Sequence, residues 1–319
     1  MADQYTSIAT QPGIATEHVQ DLWDLAVGEE LRALPTARDF VSVRPKRPMA
    51  PGSSITMTRY AWPDDAAVQA ALTPLDEESD VDAHKLPKPS TVTLTPTEYG
   101  DAVVRTKKLS NRTFAPVDPH AAKYLAYQAR LVVDNLVQNA LGQKTGVTVD
   151  GGAVNALTST DVLTAAIIRR VVTRMRTDVV PTWYSDAYAG LVHPHVILDL
   201  REDTDPAGWR APNEYGADQS RIWNGEVGKF EGVRFVENPL VRHADDGAND
   251  AEVYNSYFLG QGGLAEHIIE DVNVKLGPSV DKLGRFHTIG WYFDGGFGIY
   301  EPKAVHRVLS SSSLEGDFS

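Results

Sequence analysis

The stretch from Asp118 to Leu141, DPHAAKYLAYQARLVVDNLVQNAL, places the tightest constraint on how this chain can fold. Asp118 suits a helix N-cap, Pro119 suits the first helical position, and Gly142 follows the last apolar residue. Apolar residues recur mostly at three- and four-residue steps between polar ones, which predicts an amphipathic helix. Such a helix is about 36 Å long at roughly 1.5 Å per residue. It either organises an extended subunit or is the core helix of an ordinary large enzyme.

Composition limits the classes of protein to which the chain can belong. Its 319 residues are 42% hydrophobic, which is enough for two domains or for one domain with extensions. The formal net charge of −13 disfavours direct binding of nucleic acid. The absence of cysteine excludes disulfides and thiolate metal sites and fits a reducing cytoplasm. Because the sequence shows neither a signal-peptide pattern nor an apolar run of membrane-spanning length, we expect a soluble cytoplasmic protein.

The N-terminal part of the chain combines a predicted helix with a proline-rich segment. Thr16 is a suitable cap for a helix that continues towards Leu34. The segment that follows is rich in proline and carries the cations Arg44, Lys46 and Arg47, which suits an extended arm. A basic run of this kind is usually solvated. In so acidic a protein, however, it is also suited to lie on an acidic surface of a neighbouring copy.

Two segments with alternating apolar residues, 54–62 and 91–95, predict the arms of a long β-hairpin. A two-stranded ribbon has almost no core of its own and normally rests on something else. We expect it to contact another subunit through Arg59 and through the acidic residues of the connecting segment. The alternative is that the connecting segment is a mobile, solvated loop. Its acidic residues are Asp76, Glu77, Glu78, Asp80 and Asp82.

The rest of the chain is a mixture of helix and strand patterns. A helix capped by Ser159 or Thr160 carries four arginines that either bind phosphate or, as we prefer, offset the helix dipole: Arg169, Arg170, Arg174 and Arg176. The run Gly190–Leu200 predicts a buried strand that turns into a helix. Glycine-punctuated segments predict a hairpin and further strands, the last two of them around Gly295 and Gly296. No repeat of solenoid or propeller length occurs.

The search for chemistry finds no nucleophile elbow, P-loop, HExxH motif or Rossmann fingerprint. The best metal candidate is His193 with His195 and Asp199, because histidines two apart on a strand project to one face. Pro194 disturbs that strand, and no third ligand is fixed by spacing. A structural role for the histidines is therefore preferred.

Four segments carry a resemblance to a known family: TVTLTPTEYGDAVVRTKKL, YAGLVHPHVILDLRED, IWNGEVGKFEGVRFVENPLV and DKLGRFHTIGWYFDGGFGIYEPKAV. In this order they resemble the major capsid proteins of tailed phages, which have the Hong Kong 97-like fold. More narrowly, they resemble the capsid family of the N-four-type phages. The similarity covers about four fifths of the chain and is weakest in the arm and the acidic hairpin tip.

This resemblance implies an α+β fold with five parts. They are an N-terminal arm (1–51), an extended-loop hairpin (52–109), the spine helix of a peripheral domain (110–144), an axial domain (145–282), and a return to the peripheral domain with a C-terminal tail (283–319). The resemblance implies no active site, and hence no enzyme, cofactor or metal. The residues expected to contact other subunits are those already named: Arg44, Lys46, Arg47, Arg59, Asp76, Glu77, Glu78, Asp80 and Asp82.

The implied function is a major capsid protein whose hexamers and pentamers form an icosahedral shell around double-stranded DNA, without sequence-specific binding. The implied location is the virion, after assembly in the host cytoplasm. Because no helical extension precedes the arm, we expect a separate scaffolding protein, besides a portal and possible decoration proteins. The alternatives are an encapsulin-like compartment that encloses protein cargo and a metal-dependent hydrolase that uses His193, His195 and Asp199.

Overall fold

The computed structural model of the chain describes residues 37–45, 54–60, 72, 88–108, 117–202, 226–277, 281 and 283–314. Its helices are α1 (Val117–Gly142), α2 (Ala165–Thr177) and α3 (Pro194–Glu202). Its strands are β1 (Ile55–Arg59), β2 (Ser90–Leu94), β3 (Thr97–Thr106), β4 (Gly146–Thr148), β5 (Tyr188–Val192), β6 (Glu226–Phe230), β7 (Val233–Glu237), β8 (His243–Ala244), β9 (Val253–Leu259), β10 (Leu264–Leu276), β11 (Phe286–Ile299) and β12 (Val305–Ser310). Among these helices, none is both long and apolar enough to cross a membrane.

The long helix predicted from the sequence is confirmed as α1, and it packs on a small sheet. This sheet is antiparallel, with the order β10–β11–β3. Leu125 and Ala129 of α1 are buried against Trp291 and Phe293 of β11. Alternate residues of β11 face the helix, as the two-residue period of a strand requires. We call α1 together with this sheet the peripheral layer.

A larger sheet of seven strands forms the second part of the molecule. Its order is β4–β12–β9–β5–β7–β6, and β8 pairs with β9. The β4–β12 and β5–β7 pairs are parallel, and the other pairs are antiparallel. Helices α2 and α3 pack against it through a core in which Ile168 and Met175 of α2, Val196 and Leu200 of α3, and Phe258 of β9 are buried. We call this part the axial layer.

Strand pairing crosses two of the boundaries predicted between domains. β10 pairs with β11 in the peripheral layer, whereas the predicted axial segment 145–282 contains it. β12 pairs with β9 in the axial layer, whereas the predicted return segment 283–319 contains it. Ladders between strands decide which layer each strand joins, and this long-range pairing leaves no mark in the local pattern. The division into domains itself stays a prediction.

Two local predictions need correction. Helix α2 does not begin at Ser159 or Thr160 but at Ala165, because Thr158–Asp161 forms a turn in which the Thr158 N–H donates to Asp161 Oδ2 at 2.8 Å. The prediction of two strands around Gly295 and Gly296 is also wrong, since the single strand β11 continues through both residues. The predicted helix from Thr16 to Leu34 lies outside the described residues.

The two glycines of β11 allow close packing and do not divide the strand. A Cβ at Gly295 would lie 2.6 Å from Cζ of Phe293, and a Cβ at Gly296 would lie 2.7 Å from the carbonyl oxygen of Thr95. Neither distance leaves room for a methyl group. Glycine in a strand interior often marks such a close approach of neighbouring backbone.

Candidate assembly surfaces

The β1–β2 ribbon is a separate two-stranded sheet, and the pairing predicted for it is confirmed. One face carries Ile55, Met57 and Val92, which are half-buried, whereas Thr56 and Thr58 on the other face are exposed. A two-stranded ribbon with a partly covered apolar face is marginal alone, and it gains stability when that face is covered.

Arg59 and Leu94 anchor the base of the ribbon to the rest of the chain. Arg59 Nη1 lies 3.0 Å from Glu301 Oε2 and donates a hydrogen bond to the Tyr300 carbonyl oxygen at 3.1 Å. Leu94 is only 6% exposed and occupies the space that a side chain at Gly298 would take. The ribbon therefore has a defined base on the segment that ends β11.

Residues 37–45, which we call the arm clasp, lie against both layers. Phe40 is buried, and its ring centroid is 5.8 Å from that of Trp183. Val43 forms a parallel bridge with Ala265, which adds the clasp to the edge of β10. This part of the predicted extended arm is therefore packed on its own chain.

The cations of the arm clasp bind acidic residues of β10. Arg38 Nε lies 3.2 Å from Glu266 Oε2, and its terminal nitrogens donate to Asp271 at 3.0 and 2.9 Å. Arg44 Nε lies 3.0 Å from Glu266 Oε1. Burial by itself would raise the pKa of Asp271, but the hydrogen bond and the charge of Arg38 outweigh it and lower that pKa. The pairs hold the clasp along β10.

The buried carboxylate of Asp134 joins the arm clasp to α1. It is 2% exposed, and its Oδ1 accepts the Ala37 N–H at 2.7 Å, while its Oδ2 accepts from Gln138 Nε2 at 2.7 Å. Gln138 also donates to the Leu240 carbonyl oxygen at 2.6 Å and accepts the Arg242 N–H at 2.7 Å. One carboxylate and one amide thus hold the clasp and the loop before β8 against the same turn of helix.

Arg307 of β12 joins the end of α1 to the axial layer. Its Nη1 donates to the Gly142 carbonyl oxygen at 3.0 Å, and its Nε donates to Asn255 Oδ1 at 2.6 Å. The last turn of α1 has no basic residue of its own. A guanidinium there satisfies a free carbonyl and complements the negative end of the helix dipole.

The residues predicted to contact other subunits divide into two groups. Arg44 and Arg59 lie in the described part of the chain, and each binds an acidic residue of its own chain. The others lie outside the described residues: Lys46, Arg47, Asp76, Glu77, Glu78, Asp80 and Asp82. Contact with another subunit stays a prediction for all of them.

The peripheral layer leaves apolar and small side chains open to solvent on both of its outer surfaces. Tyr124 and Tyr127, one helical turn apart on α1, are 60% and 48% exposed. On the opposite side, Val104 of β3 is 58% exposed, and Gly100 and Ala102 beside it are exposed too. Grouped apolar exposure of this kind is typical of surfaces that bind another protein.

The predicted metal ligands are brought only partly together. β5 ends before His193 and α3 begins directly after it, so the two histidines lie at a helix start instead of on one strand face. The His193 ring centroid is 4.6 Å from that of His195 and 5.6 Å from that of His243. Asp199, however, accepts the Ser313 N–H at 3.3 Å. Throughout the described ranges, no three histidine or acidic side chains are placed to hold a metal ion.

The sequence and the structure were compared with known protein families and solved structures. The family model described as "Phage capsid protein" matches residues 90–308, which run from the start of β2 almost to the end of β12. The chain belongs to this phage capsid protein family. No curated protein matches the sequence of this capsid protein.

Solved phage capsids have the same fold as this capsid protein. The capsid of Ralstonia phage GP4 is 16% identical, with a TM-score of 0.62 over 82% of this chain and 84% of that one. The capsid of cyanophage P-SCSP1u is 12% identical, with a TM-score of 0.64 over 88% and 89%. The head of Helicobacter pylori bacteriophage KHP40 is 12% identical, with a TM-score of 0.61 over 81% and 85%.

These matches confirm the Hong Kong 97-like α+β fold and the function of a major capsid protein that were predicted from the sequence. The capsid protein is a structural protein of a phage capsid and is located in the virion. The narrower resemblance to the N-four-type capsids stays a prediction.

Proposed function

We propose that hexamers and pentamers of this capsid protein form an icosahedral shell in which the β1–β2 ribbon of each copy lies on the peripheral layer of the next. The observation that carries the proposal is the ribbon itself. Its apolar face, with Ile55 and Met57, is only half-buried, and its base is held by Arg59 and Leu94. A neighbouring copy that covers this face supplies the burial that the ribbon lacks.

Many modest contacts are sufficient to make such a shell stable. Each copy contacts several neighbours, so that once one contact has formed, the next forms at a high effective concentration. The exposed Tyr124 and Tyr127 on one side, and Val104 on the other, give the peripheral layer two surfaces that copies can bury. Covering them also removes apolar area from water.

Deletion of residues 64–85, replaced by a short glycine–serine linker, tests the role of the ribbon. We expect a folded subunit with nearly unchanged circular dichroism and melting temperature, but few shells in electron micrographs. A matched variant keeps the full length and changes only the five acidic tip residues to Asn or Gln. It shows whether shells need the negative charge of the tip or the length of the hairpin. Normal shells from the deletion variant would contradict the proposal.

We further propose that the acidic tip meets the cationic arm of a neighbouring copy. Charge reversal tests this contact. Lys46→Glu with Arg47→Glu should reduce shell yield, and Asp76→Lys with Glu77→Lys should do the same. The four changes together should restore shells, because the tip is then positive and the arm negative, so the two still attract each other. Failure of the combined variant to improve on either pair would show that these groups do not face each other.

The shell is proposed to enclose double-stranded DNA, to assemble in the host cytoplasm on a separate scaffolding protein, and to carry a portal and decoration proteins. The net charge of −13 supports a wall that does not hold DNA through phosphate contacts. Catalysis has no part in this proposal. Co-expression with the neighbouring phage genes tests it: DNA-filled particles are expected, whereas shells that purify with a protein cargo and no DNA would favour an encapsulin-like compartment.

A further inference from the structure

His193 caps α3 with its own side chain. Its Nδ1 accepts a hydrogen bond from the His195 N–H at 3.2 Å, and its carbonyl oxygen accepts the Ile197 N–H at 3.2 Å. Pro194 occupies the first helical position, where a missing N–H costs nothing. The cap position is usually held by serine, threonine, asparagine or aspartate, whose oxygen accepts from the first helical turn. An imidazole serves the same purpose only while its Nδ1 is unprotonated.

A chain of hydrogen bonds links the start of α3 to β8 and β9 around His193, which is 8% exposed. His195 Nδ1 lies 2.8 Å from the Tyr254 hydroxyl, which donates to Glu252 Oε2 at 2.5 Å. Glu252 Oε1 in turn lies 3.2 Å from His243 Nε2. The rings of His195, His243 and Tyr254 all pack on the His193 ring, at centroid distances of 4.6, 5.6 and 4.7 Å.

The surroundings of His193 oppose a positive charge on its ring. Burial, followed by the charges of His195 and His243, lowers its pKa from 6.5 to about 4, and the Glu252 carboxylate offsets only part of this. When α3 opens, the His193 imidazole regains its ordinary pKa and therefore binds a proton at a pH at which it stays neutral in the closed form. The stability that the neutral ring contributes is complete above pH 6.5 and is lost as the pH falls through 6.5 towards about 4.

We propose that His193 is a pH-sensitive helix cap, whose proton uptake opens α3 and β8 from the rest of the axial layer. Protonation turns the accepting Nδ1 into a donor that faces the His195 N–H. It also adds a positive charge at the positive end of the helix dipole. The groups that face His193 in the described structure are His195 from α3, His243 from β8, Tyr254 from β9, and Glu252 just before β9, so repulsion between imidazoles acts in the same direction.

The position of the cluster gives its opening a consequence beyond α3. The loop that leads into β8 is bound to the long helix, because Arg242 donates its N–H to Gln138 of α1 at 2.7 Å. Movement of His243 away from Glu252 therefore loosens one of the contacts between the axial and peripheral layers. This property of the subunit is independent of how copies meet in a shell.

Hydrogen–deuterium exchange of the full-length protein at pH 7.5 and pH 5 tests the proposal, after correction for the intrinsic pH dependence of amide exchange. The opening constant of peptides that cover 188–202 should rise about 25-fold at the lower pH, and that of peptides from α2 should not. His193→Asn supplies a cap that does not titrate, and it should abolish most of the rise. His287→Asn, on β11, is the matched control and should retain it.

Two outcomes of the exchange experiment would overturn the proposal: equal protection of α3 at both pH values, or an undiminished rise in His193→Asn. If His193→Asn does not fold, the exchange rate of the imidazole C2 hydrogen in the unmodified protein gives the titration of His193 directly. A midpoint below pH 5 is expected, and a midpoint at pH 6 or above would contradict the proposed cap.

Discussion

Arg59, the last residue of β1, lies 3.0 Å from Glu301, which follows the end of β11. This ion pair joins two segments that are distant in sequence and gives the base of the ribbon a fixed point on the peripheral layer. Both side chains are about one third exposed, at 29% and 33%. The pair therefore directs the ribbon more than it stabilises the subunit, because solvent-accessible ion pairs contribute little free energy.

Arg59→Ala should separate these two effects. We expect the free energy of unfolding to fall by about 1 kcal/mol or less, and the yield of shells to fall by a much larger factor. A double-mutant cycle with Glu301→Ala in denaturant unfolding measures the pair directly. Arg174→Ala, which breaks the exposed pair with Asp178, is the control for loss of a surface ion pair. Unchanged shell yield in Arg59→Ala would show that the pair does not orient the ribbon.

Asp134→Ala should destabilise the subunit strongly. It leaves the buried Ala37 N–H without its acceptor and removes one of the three hydrogen-bond partners of Gln138, and together these losses cost about 2–4 kcal/mol. Asp134→Asn keeps one acceptor and should cost less. Asn135→Ala, at the exposed neighbouring position, should stay within about 0.5 kcal/mol of the unmodified protein. Denaturant unfolding gives the values, and equal stability of Asp134→Ala and Asn135→Ala would refute this role of the carboxylate.

Gly296→Ala should destabilise the peripheral layer, whereas Gly142→Ala should not. A methyl group at 296 would lie 2.7 Å from the Thr95 carbonyl oxygen and 3.3 Å from Cα of Pro96, so backbone must move, at about 1–3 kcal/mol. At 142, no atom lies within 4 Å of the added group, and a gain of up to about 1 kcal/mol is expected. Gly296→Ala should have a lower melting temperature than Gly142→Ala. The opposite order would disprove the prediction.

Val179→Gly should stabilise the subunit. Val179 follows α2 with a φ of 52° and is 85% exposed. A left-handed backbone is strained for a β-branched residue, and the exposed side chain gains little burial energy to offset that strain. Glycine relieves that strain but also increases the conformational entropy of the unfolded chain. The net effect should be a rise of about 0.5–1 kcal/mol in the free energy of unfolding.

Val147→Gly is the matched control for Val179→Gly. Val147 is similarly exposed, at 61%, but it lies in β4 and its φ is not positive. Glycine there should lower the free energy of unfolding by about 0.5–1 kcal/mol, because it adds only entropy to the unfolded state. Denaturant unfolding of both variants gives the comparison, and destabilisation by Val179→Gly would remove the basis of the prediction.

Local patterns predicted the elements that have a strong periodicity or clear end signals. The capping residues and the apolar repeat between 118 and 141 predicted α1, and alternation predicted the pairing of β1 with β2. Pro194 marked the change from strand to helix. The start of α2 was predicted too early because a turn and a helix N-terminus use the same residue types.

The residues that join the parts of the molecule were not found from the sequence. Asp134 has the only local signal among them, as a polar residue next to Val133 on the apolar side of the long helix. Glu266 and Glu252 are two of 43 acidic residues, and nothing in their neighbours points to Arg38 or His243. The role of Glu266 depends on Arg38, which is 228 residues away, and that of Glu252 depends on a turn of the chain that brings His243 back beside it.

The sequence by itself determined the long helix, the ribbon, the absence of disulfides and, through the order of four segments, the capsid family. Only the tertiary structure decided that β10 and β11 share a sheet with β3, that the arm clasp binds Asp134, and that three histidines meet beside Glu252. The physical reason is the range of the interactions. Periodicity and capping act over a few neighbouring residues, whereas sheet membership and buried polar contacts are set by which distant segments exclude water together.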